Sequence, residues 1–260
     1  MKKTILITGA TGGLGSALAR AYADKYTCLI LTGRDTKRLF ALASECEVKG
    51  AKVMVHADDV TSQSFLTWLK GAVRQSLPDL VIASAGITST TGIKGEAESL
   101  NAIEKVMDVN FKGVVRSITP VIDEMRKRKR GQIAIISSIA AIRALPQSPA
   151  HCASKAALKI YGESLRIFLK NDNIKLNIVL PGFVKTNMSD KLKGSKFFMV
   201  SAIKAANIIK AGLERDKPVI AFPKILYYLV RFLNCLPEKL TTAILLNMHV
   251  STDQSYLKEE

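Results

Sequence analysis

The segment Thr8-Gly9-Ala10-Thr11-Gly12-Gly13-Leu14-Gly15 constrains this chain more than any other. It follows an apolar, β-branched run at 4–8 and opens a stretch with Leu14, Leu18 and Tyr22 at helical spacing. A merely tight strand-to-helix turn does not need four glycines. Glycines are required where the chain turns sharply and where a pyrophosphate must approach the main chain closely. The helix N-terminus beyond them offers free amide hydrogens and a partial positive charge. A glycine triplet placed between a first strand and a first helix therefore reads as a dinucleotide site, with Thr8, Gly9, Thr11, Gly13, Leu14 and Gly15 around the phosphates.

The rest of the chain repeats the strand–helix alternation. Strands are expected at 4–8, 27–31, 52–56, 80–83, 132–137 and 174–180. Helices are expected at 13–25, 36–49, 62–76, 98–111, 113–129 and 149–170. Such alternation implies parallel strands joined by crossover helices. Uninterrupted apolar strands such as Ile133-Ala134-Ile135-Ile136 are expected when both sheet faces are covered. The expected fold is α/β, a doubly wound parallel sheet in a single domain over 1–222. A helical appendage of the same domain follows at 223–260.

At 48% hydrophobic and 23% charged, the chain is neither fibrous nor disordered. Its four cysteines form no close pairs, so no disulfide scaffold or zinc site is expected, and free thiols suggest a cytoplasmic protein. The N-terminal apolar run is too short for a secretory signal, and no apolar run approaches the roughly 18 residues of a spanning helix. The net charge of +16 is concentrated at 101–215, which carry 21 basic and 8 acidic side chains. Arg126-Lys127-Arg128-Lys129-Arg130 suits a solvated helix end, where cations meet the C-terminal dipole. It is not flanked by interleaved aromatics, so nucleic acid is not an expected partner.

The second strand ends Leu31-Thr32-Gly33-Arg34-Asp35. An acidic residue at that tip would accept the ribose hydroxyls of NAD, whereas a guanidinium can fork onto the 2′-phosphate of NADP. With Thr32-Gly33 at the tip, then Arg34, and with Lys37 and Arg38 nearby, NADP is expected over NAD. Asp35 is placed to cap the next helix.

Together these motifs resemble the short-chain dehydrogenase/reductase family, in its single-domain, Rossmann-like branch, over nearly the whole chain. The family pattern is met by Thr8-Gly9 through Gly15, Asp59-Val60, Ala85-Gly86, Asn110, Ser137-Ser138, Lys155, and Pro181-Gly182 with Thr186. The resemblance implies hydride exchange between a nicotinamide and an alcohol or carbonyl. It implies that Ser138 holds the substrate oxygen, that Lys155 binds the nicotinamide ribose, and that Asn110 anchors a relay water. It also places Asp59 at the adenine and Thr186 at the carboxamide. Three positions depart from the pattern. Ser84 stands where Asn is usual and Ala141 where Gly is usual. His151 stands four residues before Lys155, where the family carries its proton-donating tyrosine. An ammonium beside an imidazole should lower its pKa, leaving the ring able to accept a proton and poor at giving one. Three readings of His151 stand: an altered active enzyme, a cofactor-binding protein without catalysis, and an introduced substitution.

Two functions follow: an NADP-dependent oxidoreductase, or a non-catalytic nucleotide-loaded scaffold or sensor. Segments 87–97 and 187–200 are expected to line the substrate pocket, and the basic stretch Lys185, Lys191, Lys193 and Lys196 permits an anionic substrate. The apolar tail from Pro223 to Pro237, continued to Met248, suits a core-packed lid, a homo-oligomer interface, or a peripheral membrane contact. The long helices expected at 98–129 and 149–170 are the family's usual surfaces for oligomers.

Overall fold

The computed structural model describes residues 2–92, 96–190, 193–194, 198–246 and 250–251. Seven strands form one sheet: β1 (Lys3–Thr8), β2 (Thr27–Gly33), β3 (Lys52–Ala57), β4 (Leu80–Ala83), β5 (Gly131–Ile136), β6 (Ile174–Pro181) and β7 (Val219–Phe222). Their order is β7-β6-β5-β4-β1-β2-β3, and every neighbouring pair is parallel. This is a single-domain, doubly wound α/β fold. The strand order reverses between β1 and β4, and that switch point opens the crevice where such sheets bind ligands.

The period of two along each strand divides the core between two faces. Ile5, Ile7, Leu29, Leu31, Leu80 and Ile82 point to one side, where Leu18 and Tyr22 of α1 (Gly13–Tyr22) and Leu39 and Leu42 of α2 (Thr36–Val48) meet them. Leu6, Ile30, Val81, Ile133 and Ile135 point to the other. They pack on Phe65 and Leu69 of α3 (Gln63–Gln75), Val114 and Ile118 of α5 (Gly113–Arg128), and Leu158 of α6 (Pro149–Phe168). Burial on both sides explains why the strands read as continuous apolar runs. Polar residues start the helices: Asp35 accepts from the Arg38 amide at 2.9 Å and Ser62 from the Phe65 amide at 2.9 Å. These bonds satisfy donors that a helix start leaves open.

The six expected strands and their helices form within a few residues of the expected limits. The helix expected at 98–111 divides. It becomes α4 (Leu100–Met107), capped by Ser99, and a π-helical turn at Asp108–Lys112 that runs into α5. Glu98 lies before the helix, and its carboxylate accepts from the Ser89 hydroxyl and from the Ala150 amide at the start of α6. Two further elements complete the sheet, α7 (Ala202–Glu214) and the edge strand β7. Ala205, Ala206, Ile209 and Leu213 of α7 join the first core face.

All five cations at the end of α5 have carboxylate partners. Arg126 and Lys129 hold Asp172, Lys127 holds Glu124, and Arg128 and Arg130 hold Asp79. The run fastens the helix to the ends of neighbouring strands. No helix among the described residues is long and apolar enough to cross a membrane.

Two helices follow β7, α8 (Lys224–Leu233) and α9 (Glu238–Leu246). Apolar residues surround α8, but only one face is covered. Leu226, Tyr227 and Val230 pack on the body, while Ile225, Tyr228 and Phe232 stay 66%, 64% and 60% exposed. Residues 247–249 and 252–260 of the expected appendage lie outside the described residues.

Candidate active site at the sheet switch point

A cavity of about 480 Å³ opens at the carboxyl ends of the strands. Its first wall is the glycine turn. Gly9 takes φ +64°, a left-handed value that favours glycine. A Cβ on Gly15 would stand 2.2 Å from the Gly9 carbonyl oxygen, and one on Gly13 would stand 2.5 Å from Thr186 Cγ2. The main chain therefore packs at a distance that side chains forbid. The start of α1 has neither a side-chain cap nor an acidic residue in its first turn. Its amides face the cavity without a competing anion, a cradle that fits a pyrophosphate.

Gly9, Thr11, Gly13, Leu14 and Gly15 all line the cavity, as do Arg34, Asp59, Val60, Ala85, Gly86, Pro181, Gly182 and Thr186. Thr8 does not. It is wholly buried, and its hydroxyl accepts from the Ser84 and Ala85 amides at 3.2 and 3.4 Å. Thr8 ties β1 to the end of β4 and shapes the wall from behind. At the tip of β2, Arg34 lies 3.8 Å from the Asp59 carboxylate, and Arg38 lies 3.2 Å from Asp35, the cap of α2. Asp59 also accepts from the amide and hydroxyl of Thr61 at 2.8 and 2.7 Å. Among the described residues of 87–97 and 187–200, Ile87, Thr88, Asn187, Met188 and Ser189 reach the cavity. Lys191 and Lys196 lie outside the described residues, and Lys185 is exposed.

The second wall comes from β5, α6 and the π-helical turn. Ser138 accepts from the Ala140 amide at 3.1 Å and lies 3.5 Å from the Pro181 carbonyl. Lys155 is 6% exposed, and its ammonium donates to the Ile136 carbonyl at 2.9 Å. Burial lowers its pKa to about 8. The Ser137 hydroxyl donates to the Lys155 carbonyl at 2.7 Å, fastening α6 to β5. His151 lies one turn earlier, and its Nδ1 stands 3.4 Å from the Ile87 carbonyl. A carbonyl can only accept, so the contact places the proton on Nδ1 and leaves Nε2 as an acceptor. The imidazole pKa falls to about 4. Burial is the larger cause and the Lys155 charge the smaller, with the Ile87 contact opposing both.

Asn110 does not line the cavity. The π-helical turn buries it completely, and both of its amide hydrogens are committed, to the Ile87 carbonyl at 3.0 Å and the Ser154 hydroxyl at 2.9 Å. Its Oδ1 accepts from the Ile87 amide at 2.7 Å. Ser154 in turn donates to the His151 carbonyl at 2.8 Å. Asn110 thus braces His151 along two routes, through Ile87 and through Ser154.

The far end of the cavity is apolar and comes largely from the tail: Leu226, Leu229, Val230 and Leu233 of α8, facing Leu145. Arg143 also lines it, a residue that sequence reading did not single out. The one available signal was its place five residues beyond Ser138.

The fold and this crevice define an α/β protein with a nicotinamide-dinucleotide site. A model of the short chain dehydrogenase family matches residues 3–196, and the chain belongs to that family. It is an oxidoreductase of the short-chain type, in a family that acts on small molecules such as alcohols and ketones, and the scaffold alternative is not favoured. An uncharacterized oxidoreductase of Myxococcus xanthus is 30% identical, over 93% of this chain and 95% of its own. A protein of Arabidopsis thaliana named 11-beta-hydroxysteroid dehydrogenase-like 3 is 32% identical, over 91% and 78%. The structure of a short-chain dehydrogenase from Sphingobium yanoikuyae in complex with NADPH superposes with a TM-score of 0.77 at 23% identity, covering 85% of this chain and 88% of that one.

Proposed function

We propose that the chain moves hydride between NADP(H) and a hydroxyl or carbonyl compound, with His151 at the position the family gives to its proton-exchanging tyrosine. The observation that carries this reading is the His151 ring. It lines the cavity one turn before Lys155, with Nδ1 toward Ile87 and Nε2 left as an acceptor. The bound nicotinamide supplies or takes up the hydride. Ser138 holds the substrate oxygen, and Nε2 accepts the hydroxyl proton as an alcohol is oxidised. Lys155 binds the ribose, and burial, with the Lys155 charge as the smaller cause, keeps the imidazole neutral. A ring held neutral can take a proton but has none to give, so oxidation is the favoured direction near pH 7. Asn110 acts as a positioning residue through Ile87 and Ser154.

NADP is preferred over NAD in this reading, because Arg34 and Arg38 line the cavity past Gly33, and Asp35, the acidic residue that follows the tip of β2 in sequence, is committed to capping α2. Residues 1–222 carry the nucleotide and catalytic parts, and 223–260 form the appendage that walls the substrate end. A homo-oligomer is supported by exposed Ile160, Ile167 and Phe168 on α6. The four free cysteines support a cytoplasmic protein. The test is a screen of alcohols with NADP and carbonyls with NADPH, on this chain and on His151→Tyr. Turnover in neither protein, in either direction, sinks the reading.

A further inference from the structure

The apolar end of the cavity contains one feature that hydride transfer does not use. Arg143 lines it beside Leu145 and the α8 side chains. The cavity's other cations are engaged near the nucleotide: Arg34 with Asp59, Arg38 with Asp35, and Lys155 with the Ile136 carbonyl. Among the described residues no carboxylate pairs with Arg143. Its partner is a neutral one, the Thr241 hydroxyl of α9 at 3.0 Å, donated to by Nη2. Thr241 is itself buried, and its hydroxyl reaches the Pro237 and Glu238 carbonyls. A guanidinium carries five donors in a planar fork, and a single hydroxyl leaves most of that fork unused. Placed against an apolar wall, the charge is poorly screened, which strengthens its attraction for an anion.

We propose that Arg143 is an anion-recognition residue and that the substrate is amphipathic: an apolar chain or ring system along Leu226, Leu229, Val230 and Leu233, with a carboxylate or phosphate group remote from the reacting carbon. This rests on the oxidoreductase reading for the reaction, but the recognition itself is a binding event. The simpler role for Arg143 is structural. With the Asn234 side chain, which donates to the Ile142 carbonyl at 3.0 Å, its bond to Thr241 fastens the tail helices over the cavity. The two roles separate when Thr241 is changed, because that removes the tether and keeps the cation.

The test titrates decanoate, decyl phosphate and decan-1-ol into the full chain by calorimetry, with and without NADPH. At least one anion should bind about 10- to 100-fold more tightly than the alcohol, the range of a charge-assisted hydrogen bond. Whichever anion is preferred identifies the headgroup. Arg143→Gln should bring the ratio close to one, and Thr241→Val should keep it. A ratio near one in the unaltered chain, a ratio that survives Arg143→Gln, or its loss in Thr241→Val would each overturn the proposal. Should Arg143→Gln not fold, phenylglyoxal labelling of the unaltered chain tests the same contact. Decanoate or decyl phosphate should protect Arg143 where decan-1-ol does not, and equal labelling overturns the idea. NADPH titrated alone in parallel reads the nucleotide site, so a failure there counts against the oxidoreductase reading and not against Arg143.

Discussion

Consider the reduction of a ketone by this chain as pH changes. With an imidazole pKa of about 4, roughly one ring in a thousand is protonated at pH 7. For a free imidazole at pKa 6.5 the share is about one in four. If His151 must donate the proton, the reductive rate should fall about tenfold for each unit of pH from 5 to 8. His151→Tyr should remove that slope. It should also raise the rate at pH 7 by about 10²–10⁴, the usual worth of a general acid. The sign of the lysine's effect explains the asymmetry. A cation favours phenolate, so it brings a phenol into range, while it drives an imidazolium to lose its proton. The assay follows NADPH absorbance at saturating substrate, with a melting curve at each pH. The same shift makes the fold acid-sensitive. The folded pKa lies below the unfolded value of 6.5, so the associated stability is full above pH 6.5. It drains as pH falls toward 4, by about 2 kcal/mol at pH 5. Rates are therefore compared only where the protein remains folded. A flat reductive profile from pH 5 to 8 would refute this account, as would a His151→Tyr chain no faster than the parent with a proven substrate.

Arg34→Ala should weaken NADPH binding at least tenfold while barely changing NADH, read by fluorescence titration; equal losses would show that the guanidinium does not meet the 2′-phosphate. Gly15→Ala puts a Cβ 2.2 Å from a backbone oxygen, so the turn must move. Thermal melting should show a loss of about 1–3 kcal/mol together with lost NADPH affinity, and a variant that melts and binds like the parent would contradict the close-packed cradle. Light scattering at micromolar concentration should give a dimer or larger assembly in both low and high salt, and a monomer in both would remove the oligomer from the reading.

Much of this was legible in the residues because local rules and global fold agree. The glycine turn, the apolar strands and the polar caps each point to the same parallel sheet. What stayed hidden depends on tertiary context. Thr8 looked like a cofactor contact, yet its position inside the sheet commits its hydroxyl to the β4 end. Asn110 sits on a π-helical turn that breaks an otherwise regular helical pattern, and only the extra residue in that turn directs it at Ile87 and Ser154. The direction of the His151 shift followed from its spacing to Lys155, but burial, its larger cause, is a property of the assembled walls. The strand β7 and helix α7 lie beyond the expected strands at 4–180, yet they carry a signal in the run Val219-Ile220-Ala221-Phe222 and in the spacing of Ala205, Ile209 and Leu213. Arg143 gains its meaning only once α8 and α9 are laid across it.

The two ends of the cavity differ in how they can change over generations. At the nucleotide end the wall is main chain at the tips of the central strands, where even a methyl group collides with a neighbouring carbonyl. At the other end the wall is one side of α8, a helix with no fully buried residue. Substitutions on α8 can therefore reshape what the cavity accepts while leaving the sheet and the nucleotide cradle untouched. On the proposed reading, descendants of such a chain can diversify in substrate while sharing one cofactor, since the α8 wall contributes no fully buried residue to the core.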